Sequence, residues 1–203
     1  MKKQVKIVLW TGLFFLAVRG MASPLDLAKA VHYLAPTNFY GGSFGEARSD
    51  PGDNPVSLPG LEFLSYMDKN DRYGLVTFQL GLVGAYVGEG KVVKFLPTEP
   101  IDLKKYMEAE YEGKFPKTTP VATGKIDGLA SVSITATRPP GTIRPYFFHF
   151  CWIQIETNIV VKISAYSCNT NSFSSVTNSL QSIKIDKPKL LEFLHSKTAG
   201  EKL

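Results

Sequence analysis

The pattern in this sequence closest to a catalytic signature is Gly41-Gly42-Ser43-Phe44-Gly45. It matches G-x-S-x-G, in which a strand turns sharply into a helix and presents a nucleophilic serine beside an oxyanion hole. A secreted serine hydrolase using Ser43 would need a later acid and base, and His149 or His195 could end that series. The residues after Gly45 are rich in glycine and proline and open no helix, so the motif reads as a Gly/Ser loop. His149 and Cys151 stand at i, i+2, which puts both on one strand face, as two ligands of a soft metal would need. Only core aromatics flank the pair, and a metal site wants a further ligand. A hydrogen-bonded core histidine is therefore the expectation. Neither His32 nor His195 has a partner at metal-ligand spacing. Glu46, Asp50, Asp53 and Asn54 could approach calcium, yet their spacing misses the EF-hand pattern. No cofactor and no metal are expected. What remains is a candidate binding surface: Tyr40, Phe44 and Arg48 in a long loop, with Arg138 and Arg144 flanking a tight one.

The chain that must position these groups has 203 residues, 44% of them hydrophobic and 20% charged, which excludes a disordered tail or a disulfide-dense miniprotein. Its formal charge of +5 suggests nucleic acid until its origin is located. Lys2, Lys3, Lys6 and Arg19 lie in residues 1–22, which hold no acid; without them 19 basic residues face 18 acidic ones. With no basic stripe left, nucleic acid is not an expected partner. Those first 22 residues read as a signal peptide: a lysine-rich start, an apolar run from Ile7 to Val18, and small residues before a cut between Ala22 and Ser23. The apolar run is shorter than the roughly 20 residues a spanning helix needs. The expected location is periplasmic or secreted, with no transmembrane span after cleavage.

Residues 23–203 then form one expected domain. Ser23-Pro24-Leu25-Asp26 suggests a short helix to about Leu34, with an extended start near His32 as the competing reading. Residues 41–60 read as a long loop. Strands are expected at 61–67 and 73–80 around the turn Asp68-Lys69-Asn70-Asp71, and at 91–96 beyond the glycines that follow. Asp102 opens an amphipathic helix to Glu112 with a stripe of Leu103, Tyr106, Met107 and Tyr111. Strands 121–126 and 129–137 flank Asp127-Gly128, a strong hairpin signal. In the second of them Ala130, Val132, Ile134 and Ala136 share one face. Residues 144–156 are apolar on both faces, as in a central strand, and Thr157-Asn158 turns the chain into 159–167. A helix near 171–182 and a short helical segment at 190–195 close the sequence.

Export makes a disulfide the ordinary expectation for two cysteines. A two-residue turn at Thr157-Asn158 pairs residues whose numbers sum to 315, so Cys151 faces Ser164. Cys168 then lies about 13 Å further on, beyond the roughly 7 Å a bridge allows. A Cys151–Cys168 disulfide is not favoured.

Three stretches carry a resemblance. They are His32-Tyr33-Leu34-Ala35-Pro36-Thr37-Asn38-Phe39, then Thr119-Pro120-Val121 through Asp127-Gly128-Leu129-Ala130. The third is Asn158 through Ser164, followed by Phe173, Leu180 and Ser182-Ile183. Together they resemble the PsbP-like α/β/α sandwich superfamily, which includes DcrB-like bacterial envelope proteins. Phe39 stands where that group usually has tryptophan, and no metal or partner motif matches. The resemblance implies an α+β fold, an antiparallel β-sheet packed by helices on both faces. It also implies a non-catalytic accessory or binding role toward a protein or envelope component. The alternatives are the Ser43 hydrolase and a secreted inhibitor or immunity protein.

Overall fold

The structure is a computed structural model that describes residues 27–43, 55–57, 63–88, 91–95, 101–139 and 141–198. The expected signal peptide, its cut at Ala22 and Ser23, and Phe44, Glu46, Arg48, Asp50, Asp53 and Asn54 lie outside the described residues.

Alternation of apolar and polar residues writes most of the sheet. Strands β1 (Val31–His32), β2 (Phe39–Ser43), β3 (Val56–Ser57), β4 (Leu64–Asp68) and β5 (Leu75–Leu82) come first, then a ribbon of β6 (Ala85–Gly88) and β7 (Lys91–Phe95). Helix α1 (Leu103–Tyr111) follows, its first turn capped by the Asp102 carboxylate, which accepts from Lys105 N at 3.2 Å. Then come β8 (Lys117–Thr118), β9 (Ala122–Ile126), β10 (Leu129–Thr137), β11 (Phe147–Gln154) and β12 (Ile159–Ser167). Asp127 and Gly128 both take positive φ, 51° and 77°, as a two-residue hairpin turn requires. Helix α2 (Thr170–Ser179), strand β13 (Lys184–Ile185) and helix α3 (Lys187–Thr198) complete the order.

The main sheet runs β2-β4-β5-β12-β11-β10-β8, with β3 extending the β5 edge and β9 extending β10; every pairing is antiparallel. Helices cover both faces, so the architecture is the expected α+β one. On one face Val76, Phe78, Leu80, Ile153, Val161 and Ile163 pack with Val176, Leu180 and Leu190 of the C-terminal helical segments. On the other, Val132, Ile134, Phe148, Phe150 and Trp152 pack under Leu103, Met107 and Tyr111 of α1. Tyr111 stacks on Phe150 with ring centroids 4.3 Å apart. Each fully buried side chain of this size contributes about 1.5–3 kcal/mol. A separate clasp pairs β1 with β13, joining the two ends of the described fold.

Several expectations are corrected. Between Leu27 and His32 the chain makes only a 3₁₀ turn (Leu27–Lys29) and β1, because β13 offers an extended partner. The stretch 41–60 contains strand residues at both ends, in β2 and β3. The glycine signal there has a packing cause: a Cβ on Gly41 would meet the Tyr66 ring at 2.1 Å, so only glycine admits that ring. Ala130 is exposed, since it pairs with Lys125 in the hairpin beyond the reach of α1. The final helix is longer than 190–195.

The β11–β12 register is also one residue off the expected value. Cys151 pairs with Ile163, because Ile155 N and Glu156 N both donate to Ile159 O and draw Glu156 into the turn. Cys168 therefore lies five residues beyond the partner of Cys151, about 17 Å along the strand and on the opposite face. Both thiols are free, and burial pushes the Cys151 thiol up to about 12. Among the described residues no helix is long and apolar enough to cross a membrane.

Candidate functional site

Three connections meet at one end of the sheet: the β4–β5 turn (69–74), the β10–β11 loop (138–146) and the link from β12 to α2 (167–169). Asp71 ties them together. Its carboxylate accepts from Tyr73 N at 2.9 Å within its own turn. Across the fold it accepts from Cys168 N at 2.6 Å and lies 2.8 Å from the Ser167 hydroxyl. Burial alone would raise the Asp71 carboxyl, but these donors outweigh it and hold the group below the usual carboxylate range. Tyr146 N donates to Ser167 O at 3.2 Å and Arg138 N to Tyr146 O at 2.8 Å, which fixes the long loop to the same frame.

On this frame sit two exposed arginines from different loops. Arg72 lies 4.7 Å from the Tyr73 ring centroid and donates to the Tyr73 hydroxyl at 2.8 Å. Arg144 lies 5.9 Å from that same ring and 5.9 Å from Tyr146, whose hydroxyl accepts from Arg144 Nε at 3.2 Å. Among the described residues neither guanidinium forms an ion pair with a carboxylate. Asp71 does not neutralise them by contact, because its lone pairs face backbone and Ser167. The half-exposed Cys168 thiol lies close enough to feel both arginines. Burial and Asp71 nevertheless raise it, so it is not an activated thiolate.

Of the sequence-derived binding residues, Arg144 belongs to this cluster. Arg138 does not: it packs over Phe115 at 5.3 Å and Phe148 at 4.9 Å, half-buried beside the α1 face. Tyr40 pairs with Met67 at the β2–β4 edge, and both are exposed (51% and 40%), two residues from the β4–β5 turn. Ile143, next to Arg144, is 78% exposed. Arg72, Tyr73 and Tyr146 were not singled out by the sequence reading. The available signal was an arginine within two residues of a tyrosine in each of two loops, Arg72-Tyr73 and Arg144-Pro145-Tyr146. That signal gains meaning only once β5 is known to pair with β12.

The other candidates resolve separately. Ser43 is the last residue of β2 and pairs with Ser65, and the residues that follow it lie outside the described ones. His149 exchanges a hydrogen bond with Thr135 Oγ1 at 3.0 Å, and burial pushes it down to about 4. Among the described residues no three metal-ligating side chains lie together.

No protein-family model and no curated protein matches the chain. Among solved structures it is distantly similar to the solution structure of cyanobacterial PsbP (CyanoP) from Synechocystis sp. PCC 6803, with 9% identity and a TM-score of 0.37. The match covers 82% of this chain and 98% of that one. Superposition at that level indicates broad similarity of fold and carries no argument about function.

Proposed function

We propose that this is an exported, non-catalytic binding protein, and that its partner docks on the sheet end carrying Arg72, Tyr73, Arg144 and Tyr146. One observation carries the reading: two exposed guanidiniums from separate loops converge on one tyrosine ring, and among the described residues neither pairs with a carboxylate. Arginine and tyrosine are the side chains most enriched where binding energy concentrates, since each offers flat apolar area together with directional donors. Tyr40, Met67 and Ile143 add exposed apolar area nearby. The lysine-rich leader supports export to a compartment where such a partner would be an envelope component.

Crosslinking the protein in its own envelope, followed by affinity measurement on the captured partner, tests the reading. Arg144→Ala and Arg72→Ala should each weaken that complex by tenfold or more while leaving Tm within about 1 °C. Capture at unchanged affinity by the double variant refutes this end as the docking surface. Covalent labelling of Ser43 by a fluorophosphonate probe refutes the non-catalytic part.

A further inference from the structure

The three connections that meet at the Asp71 end carry charge of one sign at their surface. Residues 69–74, 138–146 and 167–169 hold Lys69, Arg72, Arg138 and Arg144 against a single acid, Asp71. That acid is buried, its oxygens turned to Tyr73 N, Cys168 N and the Ser167 hydroxyl. Asp68, just before the β4–β5 turn, is buried too and accepts from Asn38 and Asn70 N. Lys69, Arg72 and Arg144 are exposed, whereas Arg138 packs over Phe115 and Phe148. Elsewhere the exposed cations Lys104, Lys184 and Lys189 each face a carboxylate. Among the described residues no ion pair compensates the three exposed cations at this end.

The same end carries Ile143, 78% exposed and the most exposed large apolar side chain among the described residues. It stands beside Arg144 in the β10–β11 loop, directly after a turn closed by Thr142. The Thr142 N–H and hydroxyl both donate to Pro139 O, at 3.3 and 2.7 Å. A tip held in this way loses little freedom when something covers it. Tyr73 and Tyr146, half-buried, each hold an arginine by its nitrogen on a phenol oxygen. Arg144 is bonded there through Nε, which leaves both Nη groups to donate outward. An apolar tip, a pair of tyrosines and exposed cations are the three classes a membrane interface sorts by depth. Apolar groups enter the acyl boundary, tyrosine stays at headgroup level, and arginine meets phosphate. A protein hot spot has the opposite layout, a packed apolar centre in a pocket ringed by neutral contacts.

We infer that this end rests on an anionic lipid surface, with Ile143 entering the headgroup layer and Lys69, Arg72 and Arg144 on lipid phosphates; the inference rests on the docking end proposed above. Each cation held near such a surface strengthens association about fivefold. Three of them and one isoleucine give reversible attachment, not a permanent anchor.

The test uses the protein recovered from its own envelope, with every variant prepared in the same form. It is floated with vesicles of phosphatidylcholine alone or with about 30% phosphatidylglycerol. Binding should be at least tenfold tighter to the phosphatidylglycerol vesicles and should weaken tenfold or more between about 20 and about 500 mM NaCl. Arg72→Ala and Arg144→Ala should each weaken it about fivefold and Ile143→Ser about tenfold, all with Tm within about 1 °C of the parent. Lys125→Ala removes an exposed cation from the opposite end of the sheet and should leave binding unchanged. Equal binding to both vesicle types, or to neither, overturns the inference. So does an equal loss in Arg144→Ala and Lys125→Ala, because net charge alone then acts. Retention on polyglutamate without vesicle binding overturns it in favour of an acidic protein. If vesicles fail while the arginine variants weaken a crosslinked complex, the docking end stands and only its lipid occupant falls. If those variants alter neither, both fall.

Discussion

Two aspartates at opposite ends of the sheet perform similar backbone work with different consequences for charge. Asp127, in the exposed β9–β10 turn, accepts from Ile185 N at 2.8 Å and from Lys184 Nζ at 3.0 Å. Those two donors hold its carboxyl below the ordinary range, the backbone N–H foremost. Asp71 likewise reaches across the fold to Cys168 N, but it is buried and pairs with no cation among the described residues. At the Asp127 end a lysine is committed to closing the β1–β13 clasp. At the Asp71 end backbone and Ser167 satisfy the carboxylate, and Arg72 and Arg144 stay available. The same residue type thus closes one end and leaves the other end cationic.

The sharpest way to break this contrast is Asp71→Ala. It strands the backbone donors of Cys168 and Tyr73, while Ser167 keeps Asn169 O as an acceptor, and should cost about 3 kcal/mol in urea unfolding. Asp71→Asn keeps one acceptor oxygen and should cost less. If Asp71→Ala costs no more than Asp127→Ala, the distinction between the two ends fails.

A comparable effect is expected from pH at the same end. The folded pKa of His149, about 4, is below the ordinary value of 6.5, so the unfolded chain binds more protons between those values. Stability from this group is complete above pH 6.5, falls as pH drops toward 4, and totals about 3 kcal/mol at most. His149→Gln should flatten the stability curve across that window when urea midpoints are compared at pH 7 and pH 4.5. Asp71 adds its own loss only below the usual carboxylate range, since its folded pKa is lowered.

Next in size is Gly41→Ala, which forces Tyr66 off the strand and should cost about 2 kcal/mol by the same assay. The smallest change should be Asp127→Ala: the turn is exposed, and calorimetry should find Tm lowered by only about 2 °C. Pairing it with Lys184→Ala sharpens the contrast. The two effects should not add, as befits one local ion pair.

Most of the meander was legible because its signals are local. Asp127-Gly128 dictates its turn through backbone φ, the stripe Leu103, Met107 and Tyr111 announces α1, and two-sided apolarity marks β11 as interior. What the sequence concealed depends on pairings distant along the chain. Nothing in residues 69–74 indicates that β5 lies against β12, so Arg72 and Arg144 cannot be seen to meet. The β11–β12 slip came from a single extra residue, Glu156, whose N–H bonds into a turn that Thr157-Asn158 alone would seem to satisfy. β12 shows a different failure. Lys162 and Ser164 alternate with Val161, Ile163 and Ala165 as any half-solvated strand would, yet both are buried by the packing of distant segments.

Strand order has a consequence for how this molecule comes to exist. The strand at the middle of the sheet, β12, is also one of the last to appear from the amino terminus onward. Until it arrives, β4–β5 and β10–β11 are hairpins with no common edge, and the β1–β13 zipper has only one half. A polypeptide threaded head-first through a narrow passage would therefore stay pliable over most of its length and set only when its final quarter comes through.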